Sequence, residues 1–278
     1  MYFSKFVFAM LFVTAMLYTA CGGNKSNNPV ENELEVSSCA ESESSSSVND
    51  VEKNSVSSSS VTLAKPCKTD STDTCEYGSL TDARDGQIYK TVKIGDQWWM
   101  AENLNFKTDR SRCYNDSLGY CEIYGRLYSW IDAVDMNESE CGDTGYLCSA
   151  PEVTQGVCPL GWHLPTKTEF ETLVLAVGGS WNEWNGWSCH GSLVSIASWK
   201  KNIYSKKYDE FGFAALPAGH WKVAQHRKEW DRYEYEGEGT CFWSATDIYD
   251  FAAHCMTESG YLNNYDKGYA TSVRCIKD

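Results

Sequence analysis

Hydrophobic and polar positions divide the 278-residue chain into three stretches of different character. Residues 6–17 are almost entirely apolar and follow Lys5; the run is too short to span a bilayer comfortably but is typical of a signal-peptide core. Residues 22–65 show no apolar period, and 12 of the 24 residues at 37–60 are serine. Such a segment buries too little apolar surface to offset the entropy of ordering, so a disordered tether is predicted over residues 21–74.

Residues 75–278, the predicted folded domain, carry the periods of regular secondary structure. Residues 88–94 alternate apolar and polar side chains, turn at Gly95–Asp96 and continue extended, which predicts a β-hairpin. Further strands are expected at 211–216, 241–244 and 271–276.

Two helices are predicted in this region. The first is indicated by apolar side chains at helical spacing, namely Leu127, Trp130, Ile131 and Val134. The second begins at Thr166, because Glu169 three residues later completes a capping box that satisfies two helix N–H groups. Its apolar face consists of Phe170, Leu173, Val174 and Val177, and Gly178 supplies a C-terminal stop.

Composition narrows the class of partner. The formal net charge of −14 argues against nucleic acid or an anionic membrane surface as the ligand. The N-terminal run indicates export, and export permits the 13 cysteines to form disulfides. The chain also has 11 Trp and 17 Tyr, so aromatic side chains are the richest source of candidate binding residues.

The N-terminal sequence LYTACGG resembles a bacterial lipoprotein signal, in which the cysteine, here Cys21, is lipidated and becomes the first mature residue. Tyr18 departs from the usual Leu, and secretion without a lipid is the alternative. Residues 1–20 are therefore expected to be a lipoprotein signal peptide. The resemblance implies an exported protein, lipid-anchored to the cell envelope at the outer membrane and exposed at the cell surface.

Six motifs occur in order along the predicted domain: DARDGQIYKTVKIGDQWWMAENLNF, CYNDSLGYCEIYGRLYSWIDAV, CPLGWHLPTKTEFETLVLAVGG, DEFGFAALPAGHW, FWSATD and SVRCIKD. Together they resemble the Fibrobacter succinogenes major paralogous domain family, from about Asp82 to the C-terminus. That family is similar to the C-type-lectin-like fold as elaborated in formylglycine-generating sulfatase-modifying factors. The resemblance implies an α+β domain with a twisted antiparallel sheet, two helices and long disulfide-stapled loops.

The cysteines predict disulfides and no metal site. Apart from Cys21, twelve remain, and three close pairs bracket polar loops: Cys67/Cys75, Cys113/Cys121 and Cys141/Cys148. A fourth candidate pair, Cys158 with Cys275, would close a loop of over a hundred residues. The partners of Cys39, Cys189, Cys241 and Cys255 stay open. No Cys or His cluster has zinc-ligand spacing, and no cofactor is expected.

Catalysis is not expected from these residues. The oxidase chemistry of the similar sulfatase-modifying factors needs two reactive cysteines that bind copper near the C-terminus, and the terminal strand has only Cys275. His163 follows Trp162 in the helix-entry loop and is interpreted as a satisfied core histidine rather than a general base. Asp82 and Asp85 in TDARDG indicate a turn, with calcium in a loop as the open alternative.

Aromatic runs are the remaining functional lead. Trp181, Trp184 and Trp187 recur three apart, flanked by Asn182 and Asn185. On a surface loop these indoles would stack on sugar rings while the amides bond hydroxyls; the alternative is that they fill the space beneath the loop.

A second aromatic run lies near residue 230. Its candidate binding residues are Trp230, Tyr233 and Tyr235, and Tyr/Glu alternation in an exposed hairpin would place the aromatic rings on one face. The predicted function is non-enzymatic binding of plant-fibre polysaccharide or another extracellular glycan. The alternative is a structural or protein-interaction module of the cell envelope without a glycan site. Contact with the membrane is expected only through the N-terminal lipid.

Overall fold

The computed structural model describes residues 61–141, 147–182, 186–200, 209–222 and 231–278. The predicted signal peptide, Cys21, Cys39 and the tether up to residue 60 lie outside these ranges. Fourteen strands occur in the described residues: β1 (Tyr77–Thr81), β2 (Ile88–Ile94), β3 (Gln97–Met100), β4 (Tyr128–Ser129), β5 (Trp162–His163), β6 (Ser180–Asn182), β7 (Gly186–Ser188), β8 (Ala218–Lys222), β9 (Arg232–Glu236), β10 (Cys241–Tyr249), β11 (Ala252–Thr257), β12 (Leu262–Asp266), β13 (Ala270–Thr271) and β14 (Ile276–Lys277). Three α-helices accompany them: α1 (Leu118–Tyr124), α2 (Trp130–Ala133) and α3 (Lys167–Ala176).

These strands pair antiparallel throughout, so the domain is an α+β structure dominated by antiparallel sheets. The sheet orders are β1-β2-β3-β14-β5, β4-β13-β8-β9, β10-β11-β12 and the hairpin β6-β7. The hairpin predicted at 88–100 is confirmed, with Ile94 opposite Gln97 across the turn. Gly95 in that turn has φ +59°, and a Cβ there would lie 2.8 Å from the Thr62 carbonyl oxygen, so only glycine fits.

The start of α3 agrees with the sequence pattern. The Thr166 hydroxyl accepts a hydrogen bond from the Glu169 backbone N–H, and the Glu169 carboxylate accepts one from the Thr166 N–H. Gly178 follows the helix with φ +79°. The helix buries Phe170, whose ring stacks on Trp99 of β3 at 5.4 Å between centroids. This contact joins α3 to the first sheet.

The prediction of two helices is wrong, because the structure has three in the described residues. The predicted helix from Leu127 shrinks to the four residues of α2, since Tyr128 and Ser129 instead form strand β4 against β13. Ser129 then caps α2 by accepting from the Asp132 N–H. Helix α1 was not predicted; its first turn holds Cys121, which the disulfide to Cys113 ties to the preceding loop.

The prediction of a strand at 211–216 is also wrong. Phe211, Phe213 and Ala215 are all buried, but Ala214 has φ +53° and breaks the extended chain. The carbonyl oxygens of Phe213 and Ala214 accept hydrogen bonds from the buried Arg274 guanidinium instead of from a strand.

The strand predicted at 271–276 is divided into β13 and β14. Between them the chain passes from the four-stranded sheet to the five-stranded sheet. Main-chain hydrogen bonds hold this passage: the Leu104 N–H donates to Val273 and the Met100 N–H donates to Cys275. The strand predicted at 241–244 is confirmed and extends to Tyr249 as β10.

Residues 61–74 were predicted to belong to the tether, and the structure corrects this boundary. The Ala64 N–H donates to the Ala176 carbonyl at 2.8 Å, and the Cys67 N–H donates to Glu210 at 2.8 Å. Val61 and Ala64 also pack against the hydrophobic core. The segment is too poor in apolar residues to reveal this packing by periodicity, because its main chain makes the attachments. We call residues 61–74 the N-terminal strap.

The core contains two large clusters of buried side chains. One is centred on Trp130 and Trp243, and the other on Trp99 and Phe213. The two indoles at the centre of the first cluster are satisfied: the Trp130 Nε1–H donates to Ser244 at 2.9 Å and the Trp243 Nε1–H donates to Tyr128 at 2.8 Å. None of the helices in the described ranges is long and apolar enough to cross a bilayer.

Disulfides join all four predicted pairs: Cys67–Cys75, Cys113–Cys121, Cys141–Cys148 and Cys158–Cys275. A fifth disulfide, Cys241–Cys255, links the neighbouring strands β10 and β11. Cys189 is a free, buried thiol whose pKa is raised to about 12, chiefly by burial. A thiol so rarely deprotonated is a poor nucleophile.

Candidate functional site

The hairpin β6–β7 carries the first group of predicted binding residues. Trp181 and Trp187 face each other as a cross-strand pair. Trp181 is 57% exposed, a large fraction for an indole. Trp184 and Asn185 lie outside the described residues, as does the side chain of Asn182.

Trp187 is half-buried and packs against the core, unlike its partner. Its Nε1–H donates to the Glu171 carboxylate at 3.0 Å, and the same carboxylate oxygen lies 2.9 Å from the Lys167 ammonium. Both charged residues belong to α3. Of the two described indoles, therefore, Trp187 attaches the hairpin to α3, and Trp181 offers its ring to solvent.

His254 on β11 belongs to the same region of the surface. Burial lowers the pKa of His254, and the positive charge of Lys167 lowers it further, while Glu171 opposes the shift. The His254 Nδ1 atom is buried without a hydrogen-bond partner in the described structure. We call Trp181, Trp187, Lys167, Glu171 and His254 the hairpin surface. It combines an exposed ring with charged and polar groups but has no nucleophile beside a base.

The second predicted aromatic run does not form one face. Tyr233 packs on Trp221 at 4.5 Å and on Tyr114 at 4.9 Å between ring centroids, whereas Tyr235 contacts His220 at 5.2 Å. The alternation fails because Tyr235 has φ +65°, which turns its side chain out of the strand pattern. Trp230, the third residue of this run, lies outside the described ranges.

Sequence reasoning missed the tyrosines that join Tyr233. The Tyr114 ring lies 5.4 Å from that of Tyr120, which lies 6.1 Å from Tyr124. Two of the four hydroxyls are occupied too: that of Tyr233 donates to Asp116 at 2.6 Å and that of Tyr124 donates to Glu236 at 3.0 Å. Since these rings cover one another, the cluster is a small satellite core. The Cys113–Cys121 pair bracketing two of the tyrosines was the available signal.

His163 agrees with its interpretation as a satisfied core histidine. Its Nε2 lies 2.8 Å from the Glu169 carboxylate and its Nδ1 lies 2.7 Å from the Asp278 carboxylate. The hydrogen bond to Glu169 is the main cause that raises the pKa of His163, and Asp278 adds to it against the effect of burial. With both ring nitrogens engaged, the imidazole has no free position for proton transfer to a substrate.

The acidic turn at Asp82 and Asp85 is the place where the sequence left calcium binding as an alternative. Although burial would raise it, the hydrogen bonds from Arg84 lower the pKa of Asp82, and Arg84 Nη2 lies 2.6 Å from its carboxylate. The Gly86 N–H closes the turn on the Asp82 carbonyl. Within the described ranges no group of three or more His, Cys, Asp or Glu side chains could hold a metal ion.

Comparison with known protein families identifies the family of this chain. The sequence profile described as the Fibrobacter succinogenes major domain matches residues 92–277, from within β2 to the last strand. The chain belongs to this family. The matched region thus contains the hairpin surface, α3 and the buried Arg274, while the N-terminal strap and β1 precede the match. No curated protein and no solved structure was found to match this chain.

Proposed function

We propose that this Fibrobacter major domain is a non-enzymatic binding module for an extracellular glycan, with plant-fibre polysaccharide as the favoured class. The observation that carries the proposal is the Trp181 indole, more than half exposed on a short hairpin beside polar groups. The C–H faces of a pyranose ring stack on such an indole. We also propose that the α+β domain has a C-type-lectin-like fold.

The charged groups attached to Trp187, the cross-strand partner of Trp181, suit hydroxyl recognition. Glu171 supplies a carboxylate acceptor and Lys167 an ammonium donor, and the two are already held together at 2.9 Å. Their opposite charges cancel locally, so the surface favours a neutral sugar chain over a strongly charged one. Stacking on Trp181 would be insensitive to salt, because it is an apolar and dispersion contact.

The rest of the proposal concerns location. We propose that Cys21 is lipidated and that the tether holds the domain at the outer surface of the cell envelope. The support is the LYTACGG sequence behind an apolar run, together with the disulfides, which persist in exported proteins. If the Cys21→Ala variant still incorporates a labelled fatty acid, this part of the proposal is refuted.

Retention on insoluble cellulose and xylan tests the glycan proposal. Trp181→Ala should weaken retention of the full-length protein by about tenfold to a hundredfold, since one exposed stacking residue contributes on the order of 1–3 kcal/mol. Leu160→Ala is the matched control, because Leu160 is an exposed apolar residue on the loop before β5. Equal retention of both variants, or a collapsed melting transition for Trp181→Ala, would refute the hairpin surface as the site.

The second candidate function is a protein-interaction module, favoured by one feature. Tyr249 at the end of β10 and Phe251 in the β10–β11 turn are both more than half exposed and stack on each other at 5.8 Å. An exposed aromatic pair at a hairpin tip also suits an envelope protein as partner. Tyr249→Ala should then abolish capture of that partner and leave polysaccharide retention unchanged.

A further inference from the structure

Tyr235 is exposed by an unusual backbone. It lies on β9 with its ring 56% exposed and with φ +65°. A tyrosine rarely adopts this conformation, and such strain persists where the surrounding structure holds it, often at binding sites. Opposite it on β8 is Gly219 with φ +64°, where an added Cβ would lie 2.4 Å from the Glu234 carbonyl oxygen. The close approach of the two strands therefore sets the direction of the Tyr235 side chain.

His220 gathers the neighbouring rings. It is buried, and its ring centroid lies 5.2 Å from Tyr235, 5.6 Å from Tyr265 and 5.6 Å from Tyr269. The His220 Nε2 atom lies 3.5 Å from the Glu234 carboxylate, which holds the imidazole in place. Tyr265 and Tyr269 are half-buried, so Tyr235 is the member of this group that presents most of its ring to solvent.

Asn263 adds an amide to the same face. It is exposed on β12 two residues before Tyr265, and side chains two apart on a strand share a face. We call Tyr235, His220, Tyr265, Tyr269 and Asn263 the Tyr235 surface. An exposed ring, a rigid aromatic support and an exposed amide are the groups that stack on a pyranose and bond its hydroxyls.

The Tyr235 surface lies on the opposite side of the β10–β11–β12 sheet from the hairpin surface. On β12, Asn263 and Tyr265 alternate with Leu262 and Asn264, and Asn264 is paired with His254 of the hairpin surface. Leu262 and Trp187 pack against the same core cluster, whereas Tyr265 packs against the other. A single short oligosaccharide therefore cannot lie across both surfaces.

We propose that the Tyr235 surface is a second, separate binding site for a pyranose chain. The inference rests on the proposed glycan function and extends it, because two sites on opposite sides of one sheet let a single domain hold two polysaccharide chains. The Tyr235 ring supplies the stacking face, Asn263 bonds ring hydroxyls, and His220 supports the tyrosines from beneath the surface.

Isothermal titration of the full-length protein with xylohexaose and with cellohexaose tests the second site. The wild-type protein should bind two oligosaccharides per chain. Tyr235→Asn should lower affinity at one site by at least tenfold, because asparagine tolerates positive φ and leaves the backbone in place while removing the ring. Tyr235→Phe should bind like the wild type, and Tyr249→Ala is the control for an exposed aromatic residue outside the site.

The outcomes separate this inference from the proposed function. One site that Trp181→Ala removes, with Tyr235→Asn unchanged, overturns the second site and leaves the proposed function standing. One site that Tyr235→Asn removes, with Trp181→Ala unchanged, supports the Tyr235 surface and refutes the hairpin surface. No binding of either oligosaccharide by the wild type refutes both. If Tyr235→Asn melts like the wild type, its loss of binding is due to the missing ring and not to unfolding.

Discussion

Arg274, in the SVRC motif, lies fully buried and donates hydrogen bonds to three residues at two distant places in the chain. Its Nε–H donates to the Asn103 side chain at 2.8 Å, and its Nη groups donate to the carbonyl oxygens of Phe213 and Ala214. Its guanidinium also lies 4.4 Å from the Phe213 ring centroid. Buried carbonyl groups of irregular backbone need hydrogen-bond donors. The planar guanidinium supplies several donors in a fixed arrangement, which the lysine ammonium cannot reproduce.

His163 makes stability depend on pH. Its pKa is raised in the folded state, first by Glu169, so its contribution is fully present below the unfolded pKa of about 6.5 and is lost as pH rises through the folded pKa. Glu169 has a lowered pKa despite burial, through its bond to His163, so its contribution is present above the unfolded pKa and is lost as pH falls through the folded one. Stability from this pair is therefore greatest in mildly acidic solution.

His163→Gln should flatten the loss of unfolding free energy between pH 6 and pH 9, measured by urea denaturation. Each unit by which the folded-state pKa exceeds the unfolded one adds about 1.4 kcal/mol of stability at low pH, and the variant loses this term. His190→Asn is the control, since His190 is exposed and has φ +51°, which asparagine tolerates. Parallel pH curves for the wild type and His163→Gln would contradict the assignment. The lowered pKa values of His220 and His254 have the opposite pH dependence and cancel in this difference.

At the scale of elements, the N-terminal strap attaches chain without regular structure to α3 and the first sheet. The Thr62 hydroxyl donates to Asp96 at 2.5 Å in the β2–β3 turn, and Ala64 bonds the end of α3. The Lys68 ammonium lies 2.6 Å from Asp209, whose carboxylate also accepts from the Ala214 N–H. The strap therefore supports the same irregular segment whose carbonyl groups Arg274 binds.

Deletion of residues 61–74 should lower the unfolding free energy by about 2–4 kcal/mol, because it uncovers core surface under Val61 and Ala64 and removes the Cys67–Cys75 disulfide. The matched control is deletion of the fourteen residues 47–60, which belong to the predicted tether. Thermal melting of both proteins gives the comparison. If both deletions leave the melting temperature unchanged, the strap contributes nothing and the folded domain begins near Cys75 as first predicted.

For the whole molecule, the Cys158–Cys275 disulfide connects residues 117 apart and ties the chain before α3 to the end of the domain. Its Cα atoms lie 5.9 Å apart, and the two cysteines precede β5 and β14, which are neighbours in one sheet. A cross-link over so long a loop restricts the unfolded chain far more than the local Cys141–Cys148 staple, with a separation of 7.

Replacing Cys158 and Cys275 together by Ser should cost about 5 kcal/mol of unfolding free energy in the chain-entropy account, against about 2 kcal/mol for Cys141 and Cys148. Urea denaturation without reductant measures both variants. Similar losses would show that native-state contacts, rather than the unfolded chain, determine the effect of the long cross-link. Mass mapping of the unreduced digest should first find the Cys158–Cys275 peptide pair.

The sequence by itself determined the elements that depend on residues close together in the chain. The β2–β3 hairpin follows from alternation and Gly95, α3 follows from Thr166 and Glu169, and short disulfides follow from close cysteine pairs. The ordered motifs also identified the family, because they reach across most of the domain. Trp181 was a candidate from spacing alone, and its exposure is consistent with that role.

Only the tertiary structure decided where long-range partners override local pattern. Phe211–Ala215 alternates like a strand, yet Arg274, sixty residues later, takes its carbonyl groups. Tyr233 and Tyr235 alternate like one face, yet the approach of Gly219 turns Tyr235 to the other. Period and spacing report what a residue prefers among its neighbours in sequence, whereas buried hydrogen bonds and close backbone contacts depend on residues that only folding brings together.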